Sequence, residues 1–319
     1  MNKNERNTGA GRAGGNAVEM LAALMARLLR NDDLQGRISE RNAEIDRTVQ
    51  LYRRNAHVQR TSKDLLSAFT VLYEYYRECL YGPPNPCPTP IPSLDEETKA
   101  LFTMGGKVPY SERYRNETYP SNYPLIYLPE EIECYKKWIQ EGVWFCYGRM
   151  DEFLHEAVRD YPIEGKEVLN TGATTPWYES FCLHYGAKPV TVDYNSIVSG
   201  SAEVETIPMS DLEGRTFDCA FSLSSLEHDG LGGYGDPIDP DGDLKAMRRL
   251  RQSIKPGGLV YFNVPVGPDR VIFNALRVYG KIRLPMLLEG WQVLKKYGFN
   301  EEGYQNGSAN CNPILVLQR

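Results

Sequence analysis

The sequence has no excess of basic charge, no long apolar run and no paired cysteines, and each absence closes off a class of protein. Lys and Arg number 36 against 42 Asp and Glu, a net charge of −6. No basic field is therefore available to attract nucleic-acid phosphates. No apolar stretch reaches the roughly 18 residues of a membrane-spanning helix, so none is expected. Residues 1–16 have no basic start followed by an apolar run, and no secretory signal is expected. The seven cysteines, at 79, 87, 134, 146, 182, 219 and 311, form no C-x-x-C pair. Their odd number and scatter favour reduced thiols, and hence a cytoplasmic protein, over a disulfide frame or a zinc site.

What is present divides along the chain. Hydrophobic residues make up 41% of the 319, enough for a sizeable core. Residues 1–15, polar and Gly-rich, are expected to be disordered. From 16 to 81 no proline occurs. Val18, Leu21, Met25 and Leu28 form an apolar stripe, and Ile38, Asn42, Ile45, Val49, Tyr52 and Ala56 step by four and three. That heptad seam predicts a helical stalk that self-associates as a coiled coil, with Asn42 setting register. Six prolines in residues 82–93 read as a stiff linker. A Tyr-rich lead-in fills 94–165. Within it, Pro129-Glu-Glu starts a helix ending near Gly142, and Asp151–Asp160 forms another.

Residues 166–319 alternate strand and helix. Strands are predicted at Lys166–Asn170, Pro189–Asp193, Glu203–Ile207, Phe217–Leu223, Leu259–Val266 and Pro313–Gln318. Helices are predicted at Tyr178–Tyr185 and Asp243–Ser253, a Lys-Pro-Gly-Gly turn at 255–258, and a Leu/Arg-rich helical stretch over 269–297. This alternation predicts a doubly wound, mostly parallel α/β sheet. Ligands of such sheets sit beyond the carboxyl ends of the strands. Glu227, His228, Asp229 and Asp236 follow one such end.

The first loop has only Gly172 where a dinucleotide fingerprint would have three glycines. Asp193, about twenty residues on and closing the second strand, can accept both hydroxyls of a ribose. Alternatively it caps a helix. Without a glycine cluster for a pyrophosphate, a nucleoside lacking phosphate fits better than a dinucleotide, and S-adenosylmethionine (SAM) is such a ligand. His228 could act as a general base, since imidazole ordinarily titrates near pH 6.5, with Glu227 or Asp229 orienting it. It could equally cap a helix. Asp229, Asp236 and Asp239 offer oxygen ligands for a divalent metal, but turn chemistry explains the D-P-I-D-P-D-G-D run as well, and no metal is expected.

The first strand and its loop, T-V-D-Y-N at 191–195, F-D-C-A-F-S-L at 217–223 and K-P-G-G at 255–258 resemble, in content and order, class I SAM-dependent methyltransferases. More specifically, S-S-L-E-H-D-G-L-G-G-Y-G-D-P at 224–237, G-D-L-K-A-M at 242–247, K-P-G-G-L at 255–259 and N-A-L-R-V-Y-G-K-I-R-L-P at 274–285 resemble a small methyltransferase-like family of unknown function. The resemblance implies a Rossmann-like, seven-stranded methyltransferase fold and SAM as cofactor. By position, Thr171, Gly172 and Ala173 would line the methionine part of SAM, and Asp193 its ribose. Tyr194 would flank the adenine, Met209 and Ser210 would lie near its amine, and Ser222, Leu223 and Ser224 near the sulfonium. The usual G-x-G is replaced here by N-T-G-A-T, with Pro176-Trp177 following. Arg277 and Arg283, in a segment that often lids the acceptor in such folds, could clamp a phosphate or carboxylate. Tyr234, Asn274, Tyr279 and Trp291 are further candidates for the acceptor wall.

Two kinds of protein are compatible with these features. One is a SAM-dependent methyltransferase acting on oxygen of a small-molecule or glycan acceptor, a hydroxyl being a poor nucleophile that needs its proton removed. The other is a non-catalytic, oligomerising scaffold built on the stalk. A variant of the first keeps the cofactor fold for other chemistry on a nucleotide sugar.

Overall fold

The computed structural model describes residues 89–116, 125–142, 145–172 and 174–319. The expected disordered start, the stalk at 16–81, most of the proline-rich linker and Ala173 lie outside the described residues. None of the described helices is long and apolar enough to cross a membrane.

The lead-in contains helix α1 (Glu96–Phe102), strands β1 (Tyr110–Glu112) and β2 (Leu125–Tyr127), and helices α2 (Pro129–Gln140) and α3 (Arg149–Asp160). Asp95 caps α1 by accepting the Thr98 N–H, and Glu96 and Glu97 sit in its first turn, where acids meet the positive end of the helix dipole. Proline at the first position of α2 sacrifices an N–H that has no helical partner.

The remainder gives β3 (Glu167–Thr171), α4 (Trp177–His184), β4 (Lys188–Asp193), β5 (Ile197–Ser199), β6 (Glu205–Pro208) and β7 (Phe217–Leu223). It continues with α5 (Gly242–Gln252), β8 (Ile254–Asn263), β9 (Arg270–Phe273), β10 (Leu276–Val278), α6 (Arg283–Leu287), β11 (Gln292–Tyr297), α7 (Glu301–Asn306) and β12 (Ile314–Gln318). Seven strands form the main sheet in the order β6–β4–β3–β7–β8–β12–β11. The pairings from β6 to β8 are parallel, whereas β12 runs antiparallel to both β8 and β11. The sheet is therefore mixed rather than simply parallel.

Side-chain alternation divides each central strand between two cores. Val168, Cys219, Phe221 and Tyr261 face Trp177 and Phe181 of α4 and Leu154 of α3. Their neighbours Leu169, Ala220, Val260 and Phe262 face Leu244, Met247 and Leu250 of α5. Because both faces are covered, these strands read as nearly unbroken apolar runs.

One sequence expectation is corrected here. Residues 269–297 are mostly not helical. Arg270–Phe273 pairs antiparallel with Leu276–Val278 and parallel with β1, making a three-stranded sheet. Only α6 remains helical, and β11 joins the main sheet. A strand partner about 160 residues upstream decides this, and local Leu/Arg content carries no sign of it. The Lys-Pro-Gly-Gly run does turn, within the bounds of β8: Phe217 pairs with Ile254 and Cys219 with Leu259, so residues 255–258 bulge out between them. There Gly258 passes so close to the Asp218 carbonyl that a Cβ would lie 2.7 Å from it.

Candidate active site

The chain leaves β3 through α4 towards β4, and leaves β7 through α5 towards β8, on the opposite side of β3. At such a reversal the loops diverge and open a crevice beyond the carboxyl ends of the strands. Gly172 follows β3 and Ser224-Ser225 follow β7, so these residues form its floor. Gly172 has φ +70, and a Cβ there would meet Ser225 Oγ at 2.1 Å. Only glycine allows this conformation and this approach together.

Thr171 and Ser222 are register partners on adjacent strands. Among the described residues, neither buried hydroxyl has a hydrogen-bond partner, a state that buried polar atoms rarely keep without a ligand or water. Asp193 ends β4, half-buried, and its Oδ1 accepts the Asn195 N–H at 2.7 Å. Asp193 also pairs in register with Pro208. Tyr194 follows β4 and Met209 follows β6, and they are 61% and 38% exposed. Two exposed apolar side chains beside a carboxylate suit the flat face and the sugar of a nucleoside. Ser210 is exposed and donates to Asp211 Oδ1 at 2.9 Å. Unpartnered hydroxyls, a glycine-lined gap and a strand-end acid thus fit an adenosine ligand with an amino-acid tail.

Beyond β7, Ser224 holds the left-handed φ of +50, costly for a residue with a Cβ. That turn aims its Oγ at Glu227, with a donor–acceptor distance of 2.6 Å. Glu227 is buried, and burial pushes its carboxyl up, while the adjacent His228 and the Ser224 hydroxyl act in the opposite direction. His228 Nδ1 lies 2.6 Å from the Ala275 carbonyl oxygen. A carbonyl can only accept, so Nδ1 donates, and in the neutral ring Nε2 is the atom with the lone pair. Nε2 is 3.8 Å from Glu227 Oε1. Glu227, rather than Asp229, is thus the carboxylate beside the His228 ring. Leu223 is buried at the end of β7.

Asp229 looks elsewhere. Burial and the nearby Asp236 push its carboxyl up to about 8, against the pull of Arg277 and Arg249. Asp236 accepts the N–H groups of Gly230 and Gly232, and Asp239 accepts from Asp241 N–H and Lys245. This is turn chemistry. Among the described residues no group of three or more His, Cys, Asp or Glu is arranged to hold a metal ion.

The predicted acceptor wall is corrected in five places. Arg277 and Arg283 are buried, and they surround Asp243. Arg283 binds both Asp243 oxygens, at 2.9 and 2.5 Å, while Arg277 donates to the carbonyls of Asp229, Asp239 and Pro240. Tyr279, also buried, donates to Asp243 Oδ2. These donors tie the Asp229–Asp243 loop to β10 and α6 and are not a clamp for substrate. Asn274 is buried as well, with both ends of its amide on the backbone of Arg115. Trp291 is buried in the α5-side core. Tyr234, by contrast, lies beside His228, with its ring 5.3 Å from the imidazole.

Sequence reasoning missed two residues of the lead-in. Arg115 Nη1 donates to the Tyr234 hydroxyl at 3.4 Å. Tyr147, half-exposed, sets its phenol against Ser224 and Glu227. The abundance of tyrosine was the only hint, and it carried no position.

Residues 165–310, just under half of the chain, match the model of a family described as "Caenorhabditis protein of unknown function, DUF268", in keeping with the resemblance of the motifs between 224 and 285. No curated protein matches the sequence. Among solved structures, the chain is similar to the 1,6-didemethyltoxoflavin-N1-methyltransferase of Burkholderia thailandensis, at 16% identity and a TM-score of 0.43, over 74% of this chain and 93% of that one. It is similar also to an S-adenosylmethionine-dependent methyltransferase from Clostridium acetobutylicum, at 14% identity and a TM-score of 0.37, over 58% and 96%. TehB from Haemophilus influenzae matches at 11% identity and a TM-score of 0.37, over 58% and 66%. The strand order and the switch-point crevice, rather than these distant likenesses, define the fold here as methyltransferase-like α/β.

Proposed function

We propose that the chain is a SAM-dependent methyltransferase that modifies a hydroxyl of a carbohydrate or sugar conjugate. Thr171 and Ser222 would offer their hydroxyls, and Gly172 the backbone approach, to the amino-acid tail of the cofactor. Asp193 would accept from its ribose, and Tyr194 and Met209 would flank its base. When bound, SAM supplies an electrophilic methyl carbon on a sulfonium. The chain's own task is then to make a weak oxygen nucleophile reactive. His228 Nε2 takes the hydroxyl proton, and Glu227, 3.8 Å away, compensates the imidazolium that results. The aromatic faces of Tyr234 and Tyr147 suit a sugar ring.

The single observation that carries this reading is the hydrogen bond of His228 Nδ1 to the Ala275 carbonyl beside the switch point. Calorimetry with SAM and S-adenosylhomocysteine tests it. Micromolar binding supports an enzyme, whereas a folded chain that binds neither would be a scaffold.

A further inference from the structure

Two adjacent residues, Asn274 and Ala275, place both a cation and the base. The Ala275 carbonyl fixes His228 through Nδ1. The Asn274 side chain, 2% exposed, accepts the Arg115 N–H at 2.7 Å and donates to the Arg115 carbonyl at 2.9 Å. The Arg113 N–H meets the Phe273 carbonyl, so residues 113–115 continue β1 along the edge of β9. Arg115 is thus anchored by its backbone, 159 residues from its clamp, and its guanidinium reaches the Tyr234 hydroxyl. The Tyr234 ring in turn meets the His228 imidazole edge-on, at an interplanar angle of 64°.

We infer that Arg115 and Tyr234 form an oxyanion subsite beside His228, so that the acceptor carries a phosphate or carboxylate next to the hydroxyl to be methylated. The inference rests on reading His228 as the base of the proposed transfer. A guanidinium offers planar, paired N–H donors that match an oxyanion and keep its charge at any working pH. The phenol adds a neutral donor or acceptor on the same side. Local positive charge is needed here, because the chain carries −6 overall and the Asp193 and Glu227 carboxyls lie on this side of the sheet. An anionic acceptor would otherwise be repelled. Arg277 and Arg283 cannot serve, since their donors go to Asp243 and to backbone carbonyls. The cation arrives instead from the lead-in, on a strand whose position is set by the dipeptide that sets the base.

The test titrates the full chain, saturated with S-adenosylhomocysteine, with inorganic phosphate and, separately, with acetate. Saturable binding of at least one ion is expected, weakened at least about tenfold in R115Q and less in R115K. R248Q, an exposed arginine on α5, should match the wild type. R115Q should keep its affinity for S-adenosylhomocysteine, which shows that it still folds, because Asn274 holds the Arg115 backbone in place. Preference for phosphate would mark a phosphorylated acceptor, and preference for acetate a carboxylated one. Equal binding by R115Q, or no saturable binding by the wild type, overturns the subsite. Ion binding without any binding of S-adenosylhomocysteine would overturn the methyltransferase reading and leave the subsite standing.

Discussion

His228 and Ala275 stand 47 residues apart in sequence, and a 2.6 Å hydrogen bond from Nδ1 to the carbonyl joins them. The bond selects the tautomer with a bare Nε2. Nitrogen-15 NMR of the imidazole at a pH where the ring is neutral should show the proton on Nδ1. A proton on Nε2 instead would remove His228 as the base. In a turnover assay, His228→Ala should cost at least about a hundredfold, the usual worth of general-base catalysis, with cofactor affinity unchanged.

Asp193 makes a second, separable prediction. Asp193→Ala removes the carboxylate expected to hold the ribose, where hydrogen bonds to a charged group contribute roughly 1.5–3 kcal/mol. Affinity for S-adenosylhomocysteine should fall by about ten- to a hundredfold. The Asn195 N–H loses a partner at a half-exposed turn, so stability should change little. An unchanged dissociation constant would place the ribose elsewhere.

The arginine pair predicts a stability effect without direct catalytic meaning. Burial alone would raise the Asp243 carboxyl, but Arg277 and Arg283 outweigh it and hold the group below its ordinary value. Its stabilising contribution is therefore complete above the ordinary carboxylate range and is lost as pH falls through the lowered folded value. Asp243→Asn leaves two buried guanidinium groups uncompensated and should cost about 3–5 kcal/mol in urea unfolding. A cost below about 1 kcal/mol, the worth of a surface pair, would show that the cluster is not what fixes the loop.

Two buried acids outside the crevice act with the opposite sign. Burial pushes Glu131 up to about 8, against the hydroxyl of Tyr135, and Glu179 up to about 7, against Thr191 and Tyr127. The native state thus holds protons that the unfolded chain releases above about 4.5. Stability should decline as pH rises from there and level off above the folded values. Glu131→Gln and Glu179→Gln, which keep an uncharged side chain of the same shape, should flatten that decline between pH 5 and 8 in urea titrations. A decline as steep as that of the wild type would assign it to other groups.

Much of the main sheet was legible because its strands are buried on both faces. Runs such as Phe217–Leu223 are apolar throughout and are bounded by turn residues. The placement of Asp193 and His228 was legible because each follows or closes a predicted strand, where a parallel sheet exposes side chains. The arginines at 277 and 283 misled, because exposure is the ordinary state of arginine. Their burial follows from Asp243, whose position in space depends on the crossover helix and not on neighbours in sequence. Arg115 and Tyr147 belong to no motif. They join the site through β1 and through the turn before α3, and such long-range placement leaves no periodicity to read.

The alignment of Tyr110–Glu112 beside Arg270–Phe273 bears on how this molecule can be divided. A version trimmed to begin at Lys166 would retain every motif by which the methyltransferase-like half is identified. It would nonetheless bare a row of unsatisfied amides along β9, an invitation to intermolecular stacking. Biochemists seeking a minimal soluble fragment should therefore preserve everything from Pro90 onward.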